Sequence, residues 1–374
     1  MDNPTIKRLV LILLITTVPT LIGCDKQQDE KSRQSGQGKQ SCEISQEREP
    51  GEIVKIDSGQ MILMGTFGRI QIRCCREEQG RQALAAALGA LEEIDRLLST
   101  YRGDSELSEV NRDAGEKPVR VSLETYNLLE IALKYSRKTG GAFDITVAPL
   151  LKVWQEAEKQ NRLPAVDELT KAEELVGFEK LRLSAPKERT VSFAEEGMEL
   201  NVNAIAKGYA VDRVLTALRQ PDVAAAMVDI GGEIACFGQN EPGKDWLVGV
   251  QDPFARSNDN PFIVKPRWKI RLRNCAVATS GDYRQYTTIK GEKYSHIIDP
   301  RAGKPTRKLP SVTIISERSV DADALATAVS VLGPKEGMKL IELLPNTEAL
   351  LIGGTREKPQ IYRSTGFNKY EIGD

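Results

Sequence analysis

A long polar segment near the amino terminus limits which part of the chain can fold. Residues 25–50 contain a single aliphatic side chain, Ile44, among lysine, glutamine, serine, glutamate and glycine. Such a segment cannot bury enough apolar surface to offset the entropy that is lost on ordering. We therefore interpret residues 24–50 as a flexible tether and place the whole folding unit in residues 51–374.

Residues 1–23 have the organisation of an export signal. Two basic residues precede an apolar run over residues 9–22, which is too short to span a membrane comfortably. The run ends in Leu-Ile-Gly-Cys24, which resembles a bacterial lipobox, in which the cysteine is lipidated after cleavage. The sequence therefore predicts an exported lipoprotein, anchored through Cys24 on the periplasmic or extracytoplasmic face of a membrane. An ordinary signal peptide with an incidental cysteine is the alternative.

The charge balance disfavours a role on nucleic acid. The chain holds 52 lysine and arginine residues against 53 aspartate and glutamate residues, a formal net charge of -1. Aromatic residues make up 5% of the chain, too few for a base-stacking platform. Because hydrophobic residues make up 40%, the chain can bury a sizeable core, and chemistry on a small molecule is the better hypothesis.

Composition also excludes zinc sites built from cysteine and histidine. The sequence has 6 cysteines and 1 histidine, without a Cys-x-x-Cys pair or a zinc-ligand spacing. Five cysteines remain after Cys24, an odd number in a potentially oxidising compartment. We interpret these as mostly buried small apolar residues: Cys42, Cys74, Cys75, Cys236 and Cys275.

Helices and strands alternate irregularly in residues 51–374. Apolar spacing predicts helices over residues 82–98, 122–138, 203–218 with Asn203 as N-cap, and 321–332 ended by Gly333 and Pro334. Apolar runs predict strands over residues 69–73, 226–230, 246–251, 268–272, 312–316 and 349–352. Because no regular β-α-β repeat and no glycine-rich phosphate loop is present, the pattern favours an α+β fold. We expect a single compact domain with mixed or antiparallel sheets flanked by helices.

Eight short polar motifs interrupt this apolar pattern. They are Met64-Gly-Thr66, Ser99-Thr-Tyr101, Gly141-Ala-Phe-Asp144, Ala206-Lys-Gly-Tyr-Ala-Val-Asp212, Gly231-Gly-Glu233, Thr279-Ser-Gly-Asp-Tyr283, His296-Ile-Ile-Asp-Pro300 with Gly303, and Asp323-Ala-Leu-Ala-Thr327. In this order they resemble the ApbE family, the FAD:protein FMN transferases, from about residue 64 to residue 354. The resemblance implies an ApbE-like, T-fold-like domain and an exported Mg²⁺-dependent enzyme with FAD as its substrate. It also implies that FMN is attached through a phosphoester to a threonine of a partner flavoprotein in a membrane or exported redox system, and that AMP leaves.

Asp323 and Thr327 are the predicted magnesium ligands. They are four residues apart, so on a helix they share one face and present two oxygen atoms side by side. Oxygen ligands suit Mg²⁺, which usually shares its coordination shell with water and substrate phosphates. The resemblance adds the backbone carbonyl of Ala204. The structural alternative is a carboxylate that interacts with the helix dipole, beside a core threonine.

Further residues are predicted to bind FAD. Lys207 lies one turn into a predicted helix whose first N–H groups favour an anion, although a solvated surface lysine is the alternative. Thr279 and Ser280 offer hydroxyl groups next to a permissive glycine. The resemblance implies that the flavin or its adenosine is enclosed by Met64, Tyr101, Ala142, Phe143, Asp144 and Ile298, although Tyr101 and Phe143 can also be core aromatics. Asn201 stands where the family commonly has aspartate and is assigned a contact to the flavin or ribityl.

His296 is the first candidate for proton transfer. It is the only imidazole in the chain, and imidazole is the side chain that titrates near neutral pH without a strong shift. We predict that His296 takes the proton of the attacking hydroxyl, with Asp282 and Asp299 as the other candidate bases. A buried structural histidine is the alternative.

Three functions use the same predicted residues. The favoured one is FMN transfer, in which a threonine hydroxyl attacks the FMN phosphorus. The alternatives are an FAD pyrophosphatase, in which water attacks, and a non-catalytic lipoprotein that binds FAD. The chain has no acceptor-like Asp-Gly-x-Thr-Gly-Ala-Thr sequence, so the modified threonine is expected in another protein.

Overall fold

The computed structural model describes residues 53–255, 266–281 and 286–373. The predicted signal and tether lie outside the described residues. Within them, no helix combines the length and the hydropathy that are needed to cross a membrane.

Eight α-helices lie in the described residues. They are α1 (Glu77–Leu98), α2 (Glu106–Asp113), α3 (Leu123–Lys138), α4 (Ala148–Lys159), α5 (Val166–Glu173), α6 (Ala206–Leu218), α7 (Ser319–Leu332) and α8 (Pro334–Glu342).

The same residues contain nineteen strands. They are β1 (Val54–Asp57), β2 (Met61–Leu63), β3 (Thr66–Cys74), β4 (Val119–Arg120), β5 (Leu181–Leu183), β6 (Thr190–Phe193), β7 (Val223–Ile230), β8 (Glu233–Phe237), β9 (Trp246–Val250), β10 (Trp268–Leu272), β11 (Ala276–Gly281), β12 (Tyr286–Ile289), β13 (Glu292–Ser295), β14 (Ile298–Asp299), β15 (Lys304–Pro305), β16 (Ser311–Ser316), β17 (Glu348–Gly354), β18 (Pro359–Arg363) and β19 (Glu371–Ile372).

A nine-stranded antiparallel sheet organises the domain. Its order is β1-β3-β7-β8-β11-β16-β17-β18, with β2 also paired to β3. One face packs on α1, α6 and α7, and the other face packs on the small β19-β10-β9 sheet. Because both faces of β8 and β16 are covered, every residue of these two strands is buried. The described residues belong to one compact unit, and the predicted α+β class is confirmed with antiparallel sheets.

Several predicted elements are present with nearly the predicted bounds. The helix predicted over residues 122–138 is α3, and the Ser122 side chain caps it by accepting the Thr125 N–H at 3.2 Å. The six predicted strands lie in β3, β7, β9, β10, β16 and β17. These segments were predictable because their apolar periodicity agrees with their burial.

The predicted start of α6 is wrong. The helix begins at Ala206, after a turn over residues 203–205, so Asn203 is not its N-cap. Instead, the Asn203 N–H donates to Asn201 Oδ1 at 3.0 Å inside that turn. A polar residue that stabilises a turn and one that caps a helix look alike in sequence, because asparagine suits both.

Asp212 of α6 caps the N-terminus of α7 from outside that helix. Its two carboxylate oxygens accept the N–H groups of Ser319 at 2.8 Å and Val320 at 3.0 Å. Burial raises the pKa of Asp212 to about 6, while these two N–H donors oppose the rise. The cap fixes the position of α7 against α6, which sets the placement of the residues that follow on α7.

Gly208 allows α6 and α7 to cross closely. A Cβ atom at Gly208 would lie 2.5 Å from the Ser319 carbonyl oxygen and 2.7 Å from Asp323 Cβ. We expect Gly208→Ala to lower the free energy of unfolding by about 1–3 kcal/mol in urea titrations, because the helices must move apart. Gly89→Ala in α1 is the matched control: its Cβ meets nothing within 4 Å, so it should stabilise by about 0.5–1 kcal/mol. Equal effects of the two substitutions would contradict the close crossing.

The described cysteines follow the predicted burial with one exception. Cys74, Cys236 and Cys275 are buried and Cys75 is exposed, which agrees with the prediction that these cysteines are mostly buried. Cys75 follows the last residue of β3 and precedes α1, where the chain leaves the sheet. Cys42 lies outside the described residues.

Candidate active site

Three charged side chains from three elements meet next to the crossing of α6 and α7. Lys207 lies in the first turn of α6, Glu233 begins β8, and Asp323 lies on α7. Lys207 Nζ is 2.5 Å from Glu233 Oε1, and the Gly208 N–H donates to Asp323 Oδ2 at 2.9 Å. Glu233 and Asp323 are both 4% exposed, so this charge cluster lies inside the protein.

The electrostatics of the cluster favour an additional positive charge. The pKa of Glu233 is raised to about 8 by burial and by the nearby Asp323 carboxylate, against the opposing effect of Lys207. Burial likewise raises the pKa of Asp323, against the opposing effects of Lys207 and the Gly208 N–H. Both carboxyl groups are therefore disfavoured as anions beside a single ammonium group, and an added cation would favour their ionised forms.

The segment that leads into α6 brings the third predicted ligand to this region. The Asn201 N–H donates to the Ile145 carbonyl at 2.7 Å, which fixes the start of the segment. Ala204 is half-buried and lies four residues before Gly208, whose N–H contacts Asp323. Ala204 therefore stands at the end of α6 that faces the charge cluster.

Ser280 of β11 reaches α7 next to the cluster. Its Oγ lies 3.4 Å from Thr327 Oγ1, one helical turn after Asp323. Thr279 points to the opposite face of the sheet, where its Oγ1 lies 2.9 Å from Thr313 Oγ1. Of the two predicted hydroxyl groups, the structure brings Ser280 to the predicted metal ligands and places Thr279 on the other face.

The donor set fits a hard divalent cation. Asp323 offers a carboxylate, Thr327 a hydroxyl and Ala204 a carbonyl, and oxygen is the donor that Mg²⁺ prefers. Glu233 Oε2 is buried and has no hydrogen-bond partner within the described part of the chain, so one oxygen of the cluster is left unsatisfied. No three histidine, cysteine or acidic side chains converge there among the described residues. Water and substrate phosphates would therefore complete the coordination shell of a bound Mg²⁺.

The loop that carries His296 is anchored near the C-terminal half of α7. Its neighbour Ile297 is buried against Ala142 and Val331, which joins two of the sequence motifs to α7 in one apolar cluster. The Thr306 N–H donates to the Ile297 carbonyl at 2.8 Å, and Thr306 Oγ1 donates to the Ser330 carbonyl at 3.0 Å. His296 itself is exposed, so the alternative of a buried structural histidine is wrong.

Two tight turns meet beside β8. Met64 and Gly65 connect β2 to β3 with φ angles of 48° and 72°, so Met64 holds a left-handed conformation that is uncommon for its residue type. Gly231 follows β7, and a Cβ at this position would lie 2.8 Å from Thr66 Cγ2. The first and fifth motifs therefore touch, and Glu233 follows directly after the second turn.

Comparison of the sequence and the fold with known proteins places the chain in one family. The sequence model of the ApbE family matches residues 64–351. The FAD:protein FMN transferase of Treponema pallidum (strain Nichols) is 34% identical over 305 residues, which cover 78% of this chain and 83% of the relative. The flavin transferase ApbE from Vibrio cholerae has a similar structure, with a TM-score of 0.72 and 30% identity over 85% of this chain and 100% of that one. The ApbE protein from Thermotoga maritima is similar with a TM-score of 0.73 and 30% identity, over 86% of this chain and 100% of that one.

The chain belongs to the ApbE family. The predictions of family, fold class and flavin-transferase enzyme class are thereby confirmed. Within this ApbE domain, the alternative of Lys207 as a solvated surface lysine is wrong, because its ammonium group pairs with a buried carboxylate.

The predicted flavin contacts of this ApbE domain differ in exposure. Tyr101 is 92% exposed, so the core-aromatic alternative is wrong for it and its ring is available to a ligand. Phe143 is buried in the main core, and Ala142 and Ile298 are buried in smaller clusters. The side chains of these three residues are packed in the protein interior, and their roles toward FAD stay predictions.

Asp144 uses its carboxylate to hold its own loop. Oδ1 accepts the Thr146 N–H at 2.8 Å and the Thr146 hydroxyl at 2.7 Å, and Oδ2 accepts the Phe178 N–H at 2.8 Å. Burial raises the pKa of Asp144, and these three donors oppose the rise. The observed contacts make Asp144 a residue that joins two loops of the ApbE domain.

The acidic candidates for proton transfer are unequal. Arg301 binds Asp299 with two side-chain bonds of 2.9 Å and also donates its backbone N–H at 3.1 Å. Burial opposes ionisation of Asp299, but the Arg301 donors outweigh it and the pKa lies below its ordinary value. A carboxylate held in this way is a weak proton acceptor, which favours His296. Asp282 lies outside the described residues.

Glu233 is the site residue that the sequence analysis left without a role. It appeared there only as the last residue of the Gly-Gly-Glu motif. The sequence did contain a signal for a special role, because Glu233 is the one charged residue in an otherwise apolar strand. All five positions of that strand are buried. Its pairing with Lys207 depends on the packing of α6 on β8, which sequence spacing does not reveal.

Proposed function

We propose that this chain cleaves FAD at its pyrophosphate, transfers FMN to a threonine hydroxyl of an acceptor protein, and releases AMP. The observation that carries the proposal is the meeting of Lys207, Glu233 and Asp323 at one buried point in an ApbE-family domain. A pyrophosphate needs positive charge from two directions, and this point offers an ammonium group beside oxygen donors for a metal.

Each residue of the cluster has a separate task in the proposed reaction. Asp323, Thr327 and the Ala204 carbonyl would hold Mg²⁺, which would supply positive charge to neutralise the pyrophosphate oxygens. Lys207 binds the same phosphates, and its ion pair with Glu233 fixes the direction of its flexible side chain. The Gly208 N–H holds Asp323 in the orientation that its ligand role requires.

The proposed bond changes are those of one phosphoryl-type substitution. The acceptor threonine oxygen forms a bond to the FMN phosphorus, and the bond from that phosphorus to the bridging oxygen breaks. The bridging oxygen leaves with AMP. The proton of the threonine hydroxyl passes to a nitrogen of the His296 imidazole, which is exposed and therefore reachable by a protein acceptor.

Mass spectrometry of an acceptor protein tests the proposal. The full chain is incubated with FAD, Mg²⁺ and a flavoprotein subunit of a membrane or exported redox system. We expect the acceptor to gain the mass of FMN less one water, and an acceptor with its threonine changed to alanine to gain nothing. Free FMN and AMP without an adduct would support a pyrophosphatase, and intact FAD would support a binding protein.

We also propose that Cys24 anchors the chain to a membrane. The support is the apolar run over residues 9–22 that ends at Cys24 and the polar tether that follows it. We expect Cys24→Ser to move the protein from the membrane fraction to the soluble fraction after cell lysis. Cys42→Ser is the matched control and should remain with membranes. If the Cys24 variant stays entirely membrane-bound, another anchor exists.

A further inference from the structure

Two of the four described cysteines lie directly opposite each other on neighbouring strands. In the antiparallel pair β8 and β11, Ala235 faces Ala276 and Ile234 faces Val277, so the same register pairs Cys236 with Cys275. The Cys236 N–H donates to the Cys275 carbonyl at 3.0 Å, which continues the ladder by one residue. Opposed residues of an antiparallel pair send their side chains to the same face of the sheet.

The two thiols share one buried apolar environment. Cys236 and Cys275 are 1% and 8% exposed and belong to the cluster between the main sheet and the β19-β10-β9 sheet. Cys236 Sγ lies 3.6 Å from the Cys275 carbonyl oxygen. Hydrogen-bonded cross-strand pairs have Cα atoms about 5.5 Å apart, which is within the range of disulfide-linked cysteines.

We propose that Cys236 and Cys275 form a disulfide when the chain folds in the presence of a disulfide oxidant. The inference goes beyond the flavin chemistry and does not depend on it. Cysteine is rare in this chain, with 6 in 374 residues, and two of them occupy the same cross-strand pair. Export, proposed above for Cys24, would bring the folding chain into a compartment where disulfides form and persist.

Thiol–disulfide exchange supplies the bond in two steps. The Cys275 thiolate attacks one sulfur of the oxidant disulfide, which gives a mixed disulfide and releases one thiolate. The Cys236 thiolate then attacks the Cys275 sulfur and releases the second oxidant thiolate. The two protons of the cysteine thiols end on the released thiolates, and two electrons pass from the protein to the oxidant.

Cys275 is the better first nucleophile of the pair. The proximity of Cys236 lowers the pKa of the Cys275 thiol, whereas the proximity of Cys275, together with burial, raises the pKa of the Cys236 thiol. Cys275 is also the more exposed of the two. Because both thiols are buried in the folded chain, the oxidant must reach Cys275 late in folding, when β8 and β11 are already paired but the β19-β10-β9 sheet does not yet cover the thiols.

The disulfide would stabilise the domain without touching the site. The cysteines are 39 positions apart, so the bond closes a long loop and restricts the unfolded chain. Strand alternation places Cys236 on the face opposite to Glu233, and Cys275 opposite to Ser280. We therefore expect the melting temperature to rise by about 5 °C or more on oxidation, while the rate of FAD cleavage changes less than about twofold.

Peptide mapping of the full chain tests the bond directly. The protein is reduced and unfolded, refolded with oxidised and reduced glutathione, alkylated and digested without reductant. We expect one linked peptide pair that contains Cys236 and Cys275 and is two hydrogens lighter than the reduced pair. Cys75→Ser, at the exposed cysteine, should give the same linked pair. Recovery of both cysteines in alkylated form, or linkage of either to another cysteine, would overturn the proposal.

Thermal unfolding provides the second measurement. The refolded wild-type chain should melt at a higher temperature without reductant than with it. Cys275→Ala should show no such difference, whatever its own melting temperature is. A wild-type melting temperature that is insensitive to reductant would also overturn the proposal, and if Cys275→Ala fails to fold, peptide mapping of the wild-type chain decides alone.

Discussion

Asp323→Ala lowers metal-dependent FAD cleavage by about 10²- to 10⁴-fold, because the only side-chain carboxylate in the proposed ligand set is lost. The Thr327 hydroxyl and the Ala204 carbonyl are neutral donors and cannot replace its charge. The measurement is the initial rate of AMP release at saturating FAD over a Mg²⁺ titration. The variant should need far more Mg²⁺ and should remain slow at saturation.

Loss of activity in this variant exceeds any loss of stability. Removing the carboxylate leaves the Gly208 N–H without its acceptor, which costs about 1–3 kcal/mol. It also removes a buried negative charge beside Glu233, which offsets part of that cost. Asp321→Ala is the matched control, since Asp321 lies on the same helix but pairs with Arg318 at 2.6 Å. A wild-type rate at limiting Mg²⁺ would remove Asp323 from the metal site.

Sequence periodicity predicted the elements whose burial repeats regularly. The helix α3 and the strand β10, whose positions alternate between buried and exposed, have apolar patterns of helical and sheet type that agree with their packing. The helices α2, α4, α5 and α8 were not predicted. The helix α4 buries five of its twelve residues, whereas α2, α5 and α8 have eight or nine residues and bury only one or two each. Two turns with so few core contacts carry too little periodicity to detect.

The site was only partly predictable for a related reason. The pair Asp323 and Thr327 follows from helical spacing, which is local information. The ion pair of Lys207 with Glu233 and the cap of α7 by Asp212 join residues that are distant in the chain, and they depend on how α6 packs. Likewise, Thr279 and Ser280 are adjacent in sequence, but strand alternation separates them to opposite faces.

His296→Ala slows FMN transfer at saturating FAD by about 10²- to 10⁴-fold and changes the FAD dissociation constant little. The imidazole is exposed while Ser295 and Ile297 beside it are buried, so the backbone of the loop stays anchored when the side chain is removed. The measurements are single-turnover transfer rates and an equilibrium titration with FAD. Added imidazole should restore part of the rate, because it can enter the space left by the side chain and accept the proton.

A variant of Asp299, the competing base, helps to separate two roles of His296: proton acceptor, and contact to flavin or phosphate. Asp299→Asn removes a carboxylate that is already bound by Arg301, so the transfer rate should remain within about tenfold of wild type. If His296→Ala raises the FAD dissociation constant strongly, keeps the saturated rate and is not rescued by imidazole, then His296 contacts flavin or phosphate. Proton transfer would then belong to a carboxylate, and a slow Asp299→Asn variant would identify it.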